Sequence, residues 1–246
     1  MVESLEILFE DNHCLAVNKP APLLTQAPPG IPSLEALAKE YLKKRHAKAG
    51  NVYLGVPHRL DRPVTGVVLF ARSSKAARRL TEQFQNRQVA KAYWGIVEGT
   101  IAPVEAVWED WLRKVPDEAR TEAAAPDSAG AQLARLRYRV LGPCRGGALV
   151  EFIPETGRMH QIRAQAALNG WPIQGDVLYG AKSTFGPPVN LPRERVIALH
   201  ARSLTFLHPI RYEPITLMAP LPATWSELGI EMDHLVGSAK PPSELR

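Results

Sequence analysis

No run of apolar residues in the chain approaches the roughly 20 needed to cross a bilayer as a helix, and the N-terminus carries no basic-then-apolar leader. A membrane protein built on helices is therefore not expected, and a cytoplasmic location is. Cysteine is scarce: Cys14 and Cys144 lie far apart and form no Cys-x-x-Cys pair, so neither a disulfide framework nor a thiolate zinc site is indicated. Cys14, inside an apolar stretch, reads as a small core residue. A Gly-rich phosphate loop and a His-x-x-x-His helix are also missing.

What is present suffices for a full core. With 246 residues, 45% hydrophobic and 22% charged, the chain can fold as one large domain or as two intimately packed halves. We expect that domain over residues 1–232, followed by a polar, proline-containing tail at 233–246 that frays. Thirty Lys plus Arg against 25 Asp plus Glu leave a net charge of +5, which fits a polyanionic partner without requiring one. The excess is concentrated in Lys43-Lys44-Arg45-His46-Lys48 and in Arg72 through Arg79, each on a predicted helix. A solvated helix face and a phosphate-binding face are both open readings of these clusters.

Leu5 to Glu10 and His13 to Asn18 read as strands separated by the turn pair Asp11-Asn12. Ser33 opens a helix whose Leu34, Leu37, Tyr41 and Leu42 share a face, and Ser73 or Ser74 opens another that turns Ala76, Ala77, Leu80 and Phe84 inward. Residues 116–131 lack periodicity and read as a mobile excursion. Beyond them, Leu136 to Leu141 and Ala148 to Ile153 form a predicted hairpin about Gly146-Gly147. The pattern predicts an α+β fold with a mixed, largely antiparallel central sheet, flanking helices and a cleft across it.

Three stretches carry chemistry. His58-Arg59-Leu60-Asp61-Arg62-Pro63-Val64-Thr65-Gly66 sets one carboxylate between two guanidiniums in a turn that feeds the buried run Val67 to Ala71. In Lys91-Ala92-Tyr93-Trp94-Gly95-Ile96, strand alternation sends Lys91, Tyr93 and Gly95 one way and the apolar set toward a core. The first group would make a small shelf on which a base could stack. Pro154-Glu155-Thr156-Gly157-Arg158-Met159-His160-Gln161-Ile162-Arg163 suggests a helix capped by Thr156, beginning near Arg158 and ending at Asn169-Gly170, with His160 and Arg163 on one face and Ile162, Ala166 and Leu168 toward the core.

The first stretch resembles the HRLDRxxSG signature of the RluA-type pseudouridine synthase family. The second is similar to that family's KxYxAxVxG and the third to its TGRxHQIR element, in the same order. The chain departs from the pattern at Ala21-Pro22, at Leu136, and at Gln165, where relatives carry histidine. Pro172 to Asp176, Tyr179-Gly180 and the run from Leu199 to Pro209 also resemble the family, so the likeness covers nearly all of residues 5–220. It implies a pseudouridine synthase fold without an S4-like module. It also implies that Asp61 is catalytic, that Tyr93 packs on the target base, that Arg163 pairs with the aspartate, and that Arg59 fills the space the base vacates. Arg62, Lys91, Arg158, His160, Gln161 and Ile162 are carried over as supporting, substrate-binding positions.

The implied reaction breaks the bond between N1 and C1′ of uridine, turns the base, and joins C5 to the same carbon, in structured rRNA or tRNA. Nothing is oxidised or hydrolysed, so no cofactor and no metal is expected, which agrees with the missing motifs. Such a site needs a carboxylate near C1′ to answer positive charge or take a proton, and Asp61 supplies it. Two alternatives stand beside this reading: a non-catalytic RNA-binding protein of the same fold, and a nucleoside or glycoside hydrolase. The hydrolase would usually want a second carboxylate, and the motif stretches offer no evident one. A monomer is the simplest expectation for the oligomeric state.

Overall fold

Asp11 closes the first turn through its own side chain: Oδ1 accepts the backbone N–H groups of His13 at 2.8 Å and Cys14 at 2.7 Å. Short polar side chains bond the backbone in this way and so favour turns. In this computed structural model, which describes residues 5–47 and 49–228, the turn joins β1 (Glu6–Glu10) to β2 (Cys14–Lys19). The chain continues through α1 (Leu34–Arg45), β3 (Thr65–Ala71), α2 (Ser74–Gln85), β4 (Ala90–Glu98), β5 (Glu105–Lys114) and β6 (Thr121–Ala123). It ends with β7 (Gln132–Cys144), β8 (Gly147–Pro154), α3 (Gln161–Leu168), β9 (Leu199–Leu207) and β10 (Pro214–Met218). The tail expected at 233–246 lies outside the described residues.

Two compact units share the chain. The first comprises residues 5–90 and Ala201–Leu221. Its strands run in the order β1-β2-β3-β9, with β10 antiparallel on β9. Both helices start where the serines predict, since Ser33 Oγ accepts from Ala36 N and Ser73 Oγ from Ala76 N. Helix α2 lays Ala76 and Leu80 against Val67, Leu69, Leu204 and Phe206, with Cys14 fully buried in the same core. Burial pushes the Cys14 thiol up to about 12, so it behaves as an inert packing group. Gly66, at φ +116°, leads into β3 where a Cβ would stand 2.3 Å from the Ala201 carbonyl oxygen, and no larger residue fits.

The basic clusters of this unit are largely answered from within. Glu10 meets Arg45, His46 and Arg72, Lys44 pairs with Glu40, and Arg79 donates to the Pro209 carbonyl while lying over the Tyr212 ring. These ties favour the solvated-face reading over phosphate binding for those side chains.

The second unit comprises Lys91–His200 with residues 222–228. Its strands run β4-β8-β7-β5-β6 through antiparallel pairs. Part of the expected mobile excursion is ordered structure: Thr121–Ala123 pairs with β5, and the Thr121 side chain is buried. Lack of periodicity hid this because a strand of three residues is shorter than one alternation cycle can reveal. Both faces of β4 are buried around Gly95, where a Cβ would lie 2.9 Å from Phe152. That glycine admits a neighbouring ring and is not part of an open shelf. Helix α3 starts at Gln161, later than the cap at Thr156 predicts, and Leu168 faces solvent, 47% exposed, instead of the core.

Candidate functional site

The turn carrying Asp61 is clasped on both sides. Thr25 Oγ1 donates to the Leu60 carbonyl at 2.9 Å and accepts the Leu60 N–H at 3.0 Å. On the other side the Arg62 carbonyl accepts from Leu23 N at 3.2 Å and from Lys19 Nζ at 3.2 Å, and Val64 N closes onto the Asp61 carbonyl. Upstream, His58 accepts the Leu69 N–H on Nε2 at 2.9 Å and stacks on Phe84 with ring centroids 4.5 Å apart. The anchored His58 ring and the backbone fixed at residues 60 and 62 flank the half-buried Asp61, with Arg59 exposed and Arg62 half-buried beside it.

Lys19 is the feature of this turn that the sequence reading missed. It is fully buried and donates to the carbonyls of Leu23, Pro20 and Arg62. Burial pulls its ammonium from the ordinary 10.5 down to about 7; the Asp61 charge pulls it back up, and Arg62 adds to the fall. A signal was available: Leu15, Val17 and Lys19 share one face of β2, and a lysine on an apolar face needs partners.

The sign of its effect on stability is fixed by that depression. The unfolded chain keeps this proton to near pH 10.5 and the folded chain only to about 7, so stability rises with pH across that window and the Lys19 contribution is least favourable below it. The full span is on the order of 4 kcal/mol. Lys19→Met is expected to flatten the rise, read as the difference between urea unfolding at about pH 7 and about pH 9 in the two proteins. Equal slopes in both would remove Lys19 as its source.

In the second unit, Arg163 is buried and makes a two-pronged pair with the buried Asp176, Nε to Oδ2 at 2.6 Å and Nη2 to Oδ1 at 2.8 Å. The Tyr179 ring lies beneath it, 5.0 Å from the guanidinium carbon to the ring centroid. His160 does not share the helix face as expected; it precedes the helix at φ +52°, and its Nδ1 lies 2.9 Å from the Tyr179 hydroxyl. Residues in such uncommon backbone regions concentrate at functional sites.

Thr156 serves Gln161 where a helix cap was expected. Its hydroxyl donates to Gln161 Oε1 at 2.7 Å, which also accepts the Arg158 N–H at 3.0 Å. Gln161 Nε2 continues to Gln165 Oε1, and Gln165 Nε2 reaches Asp110 at 2.7 Å. The residue that departs from the resembled pattern is thus a buried strut between α3 and β5. Arg158 Nε donates to the Leu133 carbonyl, and Ile162 is buried. Lys91 approaches Gly157, its Nζ 4.0 Å from where a Cβ there would stand, and burial pulls its ammonium below the ordinary range. Tyr93 is half-buried on β4.

One cluster among the described residues has metal-ligand composition: Asp11, Cys14 and His208, with ligand atoms within 4.8 Å of one another. Its hydrogen bonds argue for a latch. His208 Nδ1 accepts the N–H groups of Ile210 and Arg211, so Nε2 carries the proton and donates it to Asp11 at 2.8 Å, with Arg211 on the same carboxylate. A cation on Nε2 would need an imidazolate.

Against this geometry the comparisons are consistent. Residues 13–168 match the family described as RNA pseudouridylate synthase. Ribosomal large subunit pseudouridine synthase D of Xylella fastidiosa is 34% identical over 91% of this chain and 68% of its own length. The tRNA pseudouridine synthase C of Pasteurella multocida is 33% identical over 92% of this chain and 95% of its own. The solved structure of human RNA pseudouridylate synthase domain containing 4 superposes with a TM-score of 0.74 at 26% identity, covering 92% of this chain and 94% of that one. The chain belongs to the RNA pseudouridine synthase family, enzymes that isomerise uridine in RNA. Among the described residues no helix is long and apolar enough to cross a membrane.

Proposed function

We propose that the protein converts specific uridines of structured ribosomal or transfer RNA to pseudouridine, with Asp61 as the carboxylate attending C1′. The N1–C1′ bond breaks with its electron pair leaving on uracil, the base turns, C5 bonds to C1′, and the C5 proton is lost while N1 regains one. The clasp on Leu60 and Arg62 is the observation that carries this reading: a carboxylate whose neighbours are pinned can be presented to a reacting carbon without reorganisation. Arg163 is carried over from the family motif as the accompanying guanidinium.

Turning a uridine out of folded RNA costs a few kcal/mol, of which stacking on Tyr93 returns about 1 to 3 kcal/mol. Arg59 takes the vacated space, and Arg62, Lys91, Arg158, His160, Gln161 and Ile162 are carried over from the family motifs as substrate-binding positions. The enzyme works as a cytoplasmic monomer, and the isomerisation draws on no cofactor or metal. Relatives named for ribosomal and for transfer RNA are about equally similar, so both substrates stand.

Pseudouridine mapping of total RNA from cells with and without the protein is expected to show positions lost on deletion and restored by the native chain. Unchanged maps would overturn the reading, and free uracil among the products would replace it with a hydrolase.

A further inference from the structure

Tyr179 touches two of the motif residues, His160 and Arg163, and lies outside all three motifs. It ends a single 3-10 turn, Val177–Tyr179, whose preceding residue is Asp176. Residues three apart on such a turn eclipse one another, so Asp176 and Tyr179 address the same group, Arg163, one through its carboxylate and the other through its ring face. The hydroxyl is occupied at the same time. It accepts the backbone N–H of Thr121 at 2.9 Å and meets His160 Nδ1 at 2.9 Å. The Thr121 hydroxyl donates to the Met159 carbonyl at 2.8 Å, tying β6 to the residue immediately before His160.

We propose that Tyr179 is a positioning residue: anchored by β6 through Thr121, it fixes the orientation and tautomer of His160 while its ring holds the Arg163 guanidinium in plane. A phenol has one proton to give. The Thr121 N–H takes one lone pair of the oxygen, and in the proposed arrangement the phenol donates its proton to His160 Nδ1, so that the neutral imidazole carries its own proton on Nε2. The unfavourable φ of His160 is sustained because ring and backbone are held from both sides, by Tyr179 and by the Thr121–Met159 bond. Strand β6 thereby acquires a function: it is the anchor of a hydrogen-bond relay. The kinetic consequence rests on the proposed function above; the tautomer does not.

The test uses the full chain labelled with nitrogen-15 at its seven histidines, with the His160 signals assigned by their disappearance in His160→Gln. The native chain is expected to show Nδ1 unprotonated and Nε2 protonated, and Tyr179→Phe to shift both signals and speed exchange of the Thr121 amide. On RNA from cells lacking the protein, Tyr179→Phe is expected to lower turnover about tenfold with KM changed less than about twofold. Tyr179→Leu, which also removes the ring under Arg163, should lose more. Adding Tyr179→Phe to His160→Gln should cost almost nothing further, because both act through one ring.

A native His160 carrying its proton on Nδ1, unshifted signals in Tyr179→Phe, or fully additive losses would each overturn the relay. Should Tyr179→Phe fail to fold, the native spectrum alone still decides the tautomer. A native chain with the expected tautomer that leaves RNA unmodified would sink the proposed function and leave the relay standing.

Discussion

Asp61→Asn is expected to abolish pseudouridine formation, by at least about a thousandfold, while RNA affinity stays within about threefold. Asparagine has nearly the same shape, and the bonds from Thr25, Leu23 and Lys19 go to the backbone of Leu60 and Arg62, so they do not depend on the Asp61 charge. What is lost is a negative charge and a proton acceptor at one point. RNA affinity comes mainly from cations meeting phosphates, and removing an anion does not weaken that. Product is measured by pseudouridine mapping and affinity by titration of the same RNA at fixed salt. Appreciable residual turnover in the Asn variant would take Asp61 out of its role, and a large loss of affinity would recast it as a structural residue.

The same substitution has a second readout. The Asp61 charge pulls the buried Lys19 ammonium up, so the Asn variant leaves Lys19 with a still lower pKa. The variant should then lose stability relative to the native chain below neutral pH and converge on it as pH rises through about 7, because the two chains differ only in the folded-state pKa of Lys19.

Sequence pattern revealed the elements that depend on local chemistry. Ser33 and Ser73 as caps, Asp11 as the turn former and Gly66 at the entry to β3 each act within a few residues or through backbone geometry. The Asp61 turn itself was legible as a motif. Its support was not, because Thr25 reaches Leu60 and Lys19 reaches Arg62 across tens of residues, and a single sequence holds no sign of such pairings. The same holds for Asp176 and Tyr179. Their glycine-flanked stretch was noticed, yet no periodicity says that it returns to Arg163 and His160.

Errors ran in one direction as well. Gly95 on an open shelf is an expectation the structure corrects, because alternation gives side, not exposure, and the opposing ring of Phe152 comes from a strand more than 50 residues on. Thr156 was read as a helix cap because threonine before a helical run usually is one. Here a buried glutamine competes for the hydroxyl and wins, since Gln161 and Gln165 would otherwise be polar groups without partners in the core.

Asp176→Ala is expected to cost about 3 to 5 kcal/mol of stability. Both members of its pair are buried, Arg163 at 5% and Asp176 at 1% exposure, so deleting the carboxylate leaves a guanidinium charge in a dry place without its two-pronged acceptor. Asp176→Asn should lose less, because an amide oxygen still accepts one of the two bonds. Pairing Asp176→Ala with Arg163→Met should recover much of the loss, since a buried charge and its partner removed together cost far less than the partner alone. That recovery separates the buried charge from simple packing: a cavity left by a missing side chain would not be repaired by changing Arg163. Urea midpoints and slopes of the four proteins give the cycle, and an Ala variant as stable as the native chain would show that the carboxylate does not hold the guanidinium in place.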